Sequence, residues 1–71
     1  MIDTSVVPKN ILRIMEEKHI SQYTLSKESG VARVAINRWL NHGSLPRLDT
    51  MALVAKALGV TIDELTEGMI K

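Results

Sequence analysis

Apolar residues recur along this chain at the spacing of amphipathic α-helices, and no stretch shows the alternation of a β-strand. Pro8 suits the first turn of a helix, because its missing N–H is not needed there. Ile11, Ile14 and Met15 then follow at helical spacing. The pattern therefore predicts a first helix over residues 8–18.

Two short helices are predicted in the middle of the chain. Ser21 is a favourable N-cap for a helix over residues 21–29, and Gly30 supplies the left-handed residue that would end it. After a tight turn, residues 33–41 form an amphipathic pattern in which Trp39 is on the apolar side. The two helices are therefore separated by only about three residues.

A dense cluster of helix-breaking residues at 42–46 predicts a loop before the next helix. Apolar periodicity then predicts a fourth helix over residues 48–58, which Gly59 should close. Thr61 and Glu64 have the spacing of a capping box, in which each side chain satisfies a backbone N–H of the other residue. A short final helix should begin there.

These elements predict an all-α fold, a compact five-helix domain. Its 71 residues leave room for one domain over 1–71, with a core over 8–66 and loose termini. Cysteine is absent, which excludes disulfides and thiolate metal sites. No apolar run approaches the roughly 18 residues of a membrane span, so we expect a soluble cytoplasmic protein. The loose tail would comprise Met69, Ile70 and Lys71.

The charge is unevenly distributed along the chain, although the net charge is only +1. Residues 22–47 contain four basic residues and one acidic residue, a local charge of +3. Residues 49–71 contain four acidic residues and two basic ones, a local charge of −2. The middle of the chain is therefore the candidate surface for a nucleic acid, and ordinary scatter of surface charge is the alternative.

Two short helices joined by a glycine-containing turn are the unit that places its second helix in the DNA major groove. Ser26 is small where the two predicted helices would cross closely, and Gly30 permits the turn. A generic hairpin of two helices has the same spacing, so the unit alone does not establish DNA binding.

The sequence resembles the Cro and repressor-like helix-turn-helix proteins of phages and bacteria, the XRE family. The similarity extends in register over about residues 11–65. It implies a compact five-helix domain of the lambda-repressor-like type, with the helix-turn-helix at helices two and three. The resembling residues are Ser21, Gln22, Leu25, Ser26, Gly30, Val31, Ile36, Trp39, Pro46, residues 48–51, residues 55–60 and residues 63–65.

This resemblance implies that four residues of the third helix contact bases. Arginine can hold guanine through two hydrogen bonds, asparagine can hold adenine in the same way, and valine can contact thymine methyl groups. A solvated helix face is the alternative interpretation for each residue taken singly. The four residues are Arg33, Val34, Asn37 and Arg38.

The resemblance also implies phosphate contacts, which would position the third helix without reading sequence. Gln22 and Tyr23 lie at the predicted start of helix two, whose dipole favours an anion. His42, Ser44 and Arg47 lie in or beside the loop after helix three. A polar first-turn residue at Gln22 and a plain loop residue at His42 are the alternatives.

The sequence departs from the family at several positions, among them Ala32, Met15 and Leu40. Ala32 stands where relatives usually have a serine or threonine cap, so a contribution of about 1 kcal/mol is missing. Met15 and Leu40 stand where many relatives have an arginine and a glutamate. We predict that these two side chains touch across helices one and three, since an apolar pair can replace a buried ion pair.

We therefore predict a sequence-specific binder of double-stranded DNA that acts as a small transcriptional regulator, a repressor of Cro type. The alternative is a modulator with the same fold that binds a repressor protein and masks its DNA-binding surface. Near-neutral charge and added apolar groups favour that alternative, and some of these groups could also support a weak homodimer. We expect no enzyme activity, cofactor or metal site. The added apolar residues are Leu12, Leu53, Met69 and Ile70.

Overall fold

The computed structural model describes residues 1–70, which fold into five α-helices. The all-α, five-helix prediction is confirmed. No helix in this part of the chain is long and apolar enough to cross a membrane. The helices are α1 (Val6–Lys18), α2 (Gln22–Ser29), α3 (Arg33–His42), α4 (Leu48–Leu58) and α5 (Ile62–Leu65).

The start of α1 is where the predicted bounds fit least well. The helix begins at Val6, two residues before the predicted start, so Pro8 occupies its third position, still within the first turn. It ends at Lys18, as predicted, and the capping residue His19 has φ 56°, a left-handed conformation that glycine usually supplies. Because His19 is a poor signal for a helix end, the sequence predicted the bound at Lys18 only from periodicity.

Side-chain caps begin α2 and α5 as the sequence predicts. The Ser21 hydroxyl accepts a hydrogen bond from the Thr24 amide at 3.1 Å. The Thr61 hydroxyl accepts one from the Glu64 amide at 3.2 Å, which is one half of the predicted capping box. Ala32, the residue before α3, has the extended backbone of an N-cap and makes no side-chain cap bond. The helix that carries the proposed base contacts therefore begins without one.

The core is aliphatic, with Trp39 at its edge, and every helix contributes to it. Met15 of α1 is buried, and Leu40 of α3 is half-buried against the core. Both side chains line the same surface groove, so neither points fully into solvent. This arrangement agrees with the predicted approach of helices one and three. The fully buried side chains are Val7, Ile11, Leu25, Ile36, Val54, Leu58 and Leu65.

The two ends of the chain meet, where we expected a loose tail. Ile2 and Ile70 form an isolated antiparallel β-bridge, and the Asp3 amide donates to the Met69 carbonyl at 2.6 Å. The Met69 side chain packs against the core. Residues 69 and 70 thus have contacts that join distant segments, and such contacts leave no local pattern in the sequence. Lys71, the last residue of the expected tail, lies outside the described residues.

Asn10 attaches α1 to the chain that follows α5. Its side-chain amide donates to the Leu65 carbonyl at 2.9 Å and to the Glu67 carbonyl at 3.0 Å. The Leu65 carbonyl belongs to the last residue of α5, where backbone acceptors lack partners within the helix, and the Glu67 carbonyl lies just beyond that end. One side chain therefore fixes the last turn of the domain against its first helix.

Candidate nucleic-acid interface

The turn between α2 and α3 is fixed by side chains as well as by a glycine. Gly30 adopts φ 77°, and its amide donates to the Ser26 carbonyl. The Ser26 hydroxyl donates to the Val31 carbonyl at 2.6 Å, while the Ser29 hydroxyl accepts from the Val31 amide at 3.2 Å. The sequence predicts a role for Ser26 only through its small side chain. Its hydroxyl also holds the turn that sets the direction of α3.

The rotation of α3 about its axis is set by two buried side chains. Ile36 is fully buried and Trp39 is 5% exposed. Residues at the same helical spacing on the opposite side must then face outward. All four predicted base-contacting residues are exposed, with Val34 at 63%, and they occupy adjacent rows of one helix face. They are Arg33, Val34, Asn37 and Arg38.

The polar side chains of this face have hydrogen-bonding groups without a partner among residues 1–70. Two ion pairs occur among residues 1–70, and neither includes Arg33 or Arg38. The side chain of Asn37 makes no hydrogen bond within that part of the chain. Arg33 has one aromatic neighbour, since its guanidinium carbon lies 5.9 Å from the centroid of the Tyr23 ring. The donors needed to contact base edges are therefore not engaged by any protein group among residues 1–70.

Gln22 and Tyr23, the first predicted phosphate-contacting pair, are the first two residues of α2. Gln22 is half-buried, and Tyr23 is 59% exposed. Amides in the first turn of a helix have no acceptor within the helix, and the helix dipole makes this end electropositive. The Ser21 hydroxyl accepts a hydrogen bond from one of these amides. The remaining amides make the start of α2 suited to an anion.

The second predicted phosphate-contacting set lies beyond the C-terminal end of α3. His42 is the last residue of that helix, and Ser44 and Arg47 follow in the loop before α4. All three are exposed. The Arg47 Nε atom lies 3.6 Å from Asp49 Oδ1, a pair that the sequence analysis did not foresee. Both side chains are mostly exposed, so a phosphate could replace the carboxylate at little cost.

Comparison with known proteins places this fold in a family. A family model described as Helix-turn-helix matches residues 11–65, and the chain belongs to that family. The predicted XRE-type family is thereby confirmed. The matched region begins inside α1 and ends with α5, so it includes part of α1 and all of the other four helices among the described residues.

One curated relative is similar over most of this chain. The HTH-type transcriptional activator BcrR of Enterococcus faecalis is 33% identical over 51 residues, which is 72% of this chain. The chain spans about a quarter of the length of that relative, 25%. No solved structure matches the chain.

Proposed function

We propose that this chain binds double-stranded DNA in a sequence-specific manner and regulates transcription, with α3 in the major groove. The observation that carries the proposal is the exposed face of α3, where two arginines, an asparagine and a valine lie together. The hydrogen-bonding groups of its polar side chains have no partner within residues 1–70. Major-groove base edges present the acceptors, donors and methyl groups that these side chains recognise. The family to which the chain belongs supports the proposal.

Each residue of this face has a distinct proposed role. Arg33 and Arg38 are suited to guanine, because a guanidinium can donate to both O6 and N7 of that base. Asn37 can pair in the same way with N6 and N7 of adenine, and Val34 can contact a thymine methyl group. Arg33 and Val34 lie in the first turn of α3, the part of a recognition helix that contacts base edges.

The phosphate-contacting residues would hold α3 in register from both sides. Gln22 and Tyr23 would contact the backbone at the start of α2, while His42, Ser44 and Arg47 would contact it beyond the end of α3. Such contacts supply affinity that depends on salt and carries no direct sequence information.

A repressor of Cro type is the form of regulation that we propose, since the resemblance implies it. The similar protein of Enterococcus faecalis is named an activator, so the sign of regulation has to be measured. A reporter gene placed under the bound promoter should fall in expression when this chain is produced. A rise in expression would contradict the repressor assignment and leave DNA binding intact.

The experiment that tests DNA binding is selection from a randomised duplex library, followed by a salt titration on the selected site. We expect an enriched sequence, and a logarithm of the binding constant that falls linearly with the logarithm of salt concentration. The slope should be about −0.9 for each phosphate neutralised. No enrichment, or no binding at about 50 mM salt, where phosphate contacts are strong, would contradict the proposal.

Exposed apolar side chains favour one second candidate, binding to a repressor protein. Leu12 is 42% exposed, Leu53 is 49% exposed and Ile70 is 77% exposed, while Met69 packs against the core. Leu53 and Ile70 are also the residues that could support a weak homodimer. Sedimentation of the free protein measures self-association directly, and a protein that self-associates but enriches no duplex would favour an interaction module.

A further inference from the structure

Tyr23 has a neighbour that its proposed phosphate contact does not explain. It is the second residue of α2, and Arg33 is the first residue of α3. The guanidinium carbon of Arg33 lies over the Tyr23 ring, 5.9 Å from the ring centroid. This distance is within the roughly 6 Å over which a guanidinium is attracted to an aromatic face. The contact thus joins the proposed phosphate-contacting helix to the proposed base-reading helix.

We propose that Tyr23 is a positioning residue whose ring holds the Arg33 guanidinium in place before DNA binds. Because the guanidinium is already in place, the protein should discriminate more strongly between bases at the single base pair that Arg33 reads. This inference rests on the proposed function, because it requires Arg33 to contact a base.

The physical reason is the cost of ordering a long exposed side chain. A free arginine samples many rotamers, and immobilising it on a base costs conformational entropy at the moment of binding. A side chain that is already restricted loses less conformational entropy on binding, so more of the hydrogen-bond energy appears as affinity for the correct base. Arg33 begins α3 without a side-chain cap at Ala32, so the ring supplies order at the least supported end of that helix.

A ring is better suited to this role than a carboxylate would be. Arg13 and Arg47 are paired with carboxylates, which engage the same N–H groups that a base would need. No hydrogen bond or ion pair among residues 1–70 uses the Arg33 side chain. The Tyr23 ring therefore restrains the guanidinium while leaving its donors free for guanine.

Two substitutions of Tyr23 distinguish the effect of its ring from the effect of its hydroxyl. Tyr23→Phe keeps the ring and removes the hydroxyl that would contact a phosphate, whereas Tyr23→Leu removes the ring as well. Tyr23 is 59% exposed, so both variants should remain folded, and thermal unfolding checks this. Arg38 provides the internal control, because it lies on the same helix face and no aromatic ring within the described residues holds its guanidinium.

The measured quantity is base preference on a randomised duplex library. Arg33→Ala and Arg38→Ala first identify the base pair that each arginine reads. We expect Tyr23→Leu to lower the preference at the Arg33 base pair about two- to fivefold, the effect of an exposed cation–π contact. Preference at the Arg38 base pair should not change. Tyr23→Phe should preserve both preferences, and Tyr23→Leu should have no further effect on preference in an Arg33→Ala background.

The outcomes distinguish this inference from the proposed function. If Arg33→Ala removes a preference that Tyr23→Leu leaves intact, the positioning role is overturned and base reading by Arg33 stands. If Arg33→Ala changes no preference, base reading by Arg33 fails, and the positioning role fails with it.

A second measurement needs no DNA. A ring held against Arg33 should shift the proton resonances of its δ-methylene group upfield in the nuclear magnetic resonance spectrum of the free protein. We expect that shift in the wild type and in Tyr23→Phe, and its loss in Tyr23→Leu. Arg33 resonances that are the same in all three proteins would overturn the inference.

Discussion

Asn10 and Asn37 are the same residue type on two helices of one domain, and the fold uses them differently. Asn10 of α1 donates two hydrogen bonds that fix the chain after α5. Asn37 of α3 is exposed, and its side chain has no hydrogen-bond partner within residues 1–70. The arginines repeat the contrast, since Arg13 of α1 is paired with Glu17 and Arg33 of α3 is paired with no carboxylate in the same region.

This contrast separates residues that serve the fold from residues that the fold leaves free. On the α1 side, Asn10, Arg13 and Glu17 have side-chain partners within the chain. On the exposed face of α3, the buried apolar side of the helix directs polar side chains outward, and their hydrogen-bonding groups have no partner within the described residues. Such a surface contributes little to stability, which is consistent with the base-contacting role that we propose for it.

The largest effect on stability should come from the buried side of α3. Ile36 is fully buried, so Ile36→Ala should lower the free energy of unfolding by about 2–5 kcal/mol through lost burial and a cavity. Val34→Ala, on the exposed side of the same helix, should change it by at most about 0.5 kcal/mol. Urea denaturation measures both. Equal losses would contradict the division of α3 into a structural face and an external one.

The two asparagines provide the next test. Asn10→Ala leaves the Leu65 and Glu67 carbonyls without their side-chain donor, which should cost about 1–3 kcal/mol in the free energy of unfolding. Asn37→Ala breaks no hydrogen bond within the described residues, so its effect should stay within about 0.5 kcal/mol. Chemical denaturation of the two variants in parallel decides the point. A larger loss of stability for Asn37→Ala than for Asn10→Ala would contradict the contrast between the two asparagines.

A smaller effect should distinguish the capped start of α2 from the uncapped start of α3. Ala32→Ser provides a hydroxyl at a residue that already has N-cap backbone geometry, so stability should rise by about 1 kcal/mol. Ser21→Ala removes the cap of α2 and should lower stability by a similar amount. Thermal unfolding should therefore shift in opposite directions for the two variants. A loss of stability in Ala32→Ser would show that the first turn of α3 is satisfied by other groups.

Much of the fold could be predicted from local sequence patterns. Apolar periodicity located the helices, and Ser21 and Gly30 marked the ends of α2, because caps and left-handed residues act on their own neighbours. The contacts between the two ends of the fold, which local patterns did not predict, join residues far apart in the chain. The Asn10 hydrogen bonds and the bridge between Ile2 and Ile70 depend on where α5 packs, which no local pattern specifies.

The candidate site was predicted from residue types and a family resemblance, and its chemistry is only partly visible in a sequence. Helical spacing from the buried Ile36 and Trp39 was sufficient to predict which residues of α3 are exposed. The contact between Tyr23 and Arg33 and the pair between Arg47 and Asp49 cross a turn or a helix start. Such contacts depend on how exposed side chains are oriented, and charge patterning does not predict that orientation.

Base reading by the exposed face of α3 is the central claim, and base preference after substitution tests it most directly. Wild type, Arg33→Ala, Val34→Ala and Arg47→Ala are compared on one randomised duplex library. Arg33→Ala should cost roughly 1–3 kcal/mol on the selected site and relax discrimination at one base pair. Val34→Ala should weaken a preference for thymine at a neighbouring position. Arg47→Ala should weaken selected and random duplexes alike, as loss of a phosphate contact does. A protein that binds DNA with the same base preference after Arg33→Ala and Val34→Ala would contradict the claim.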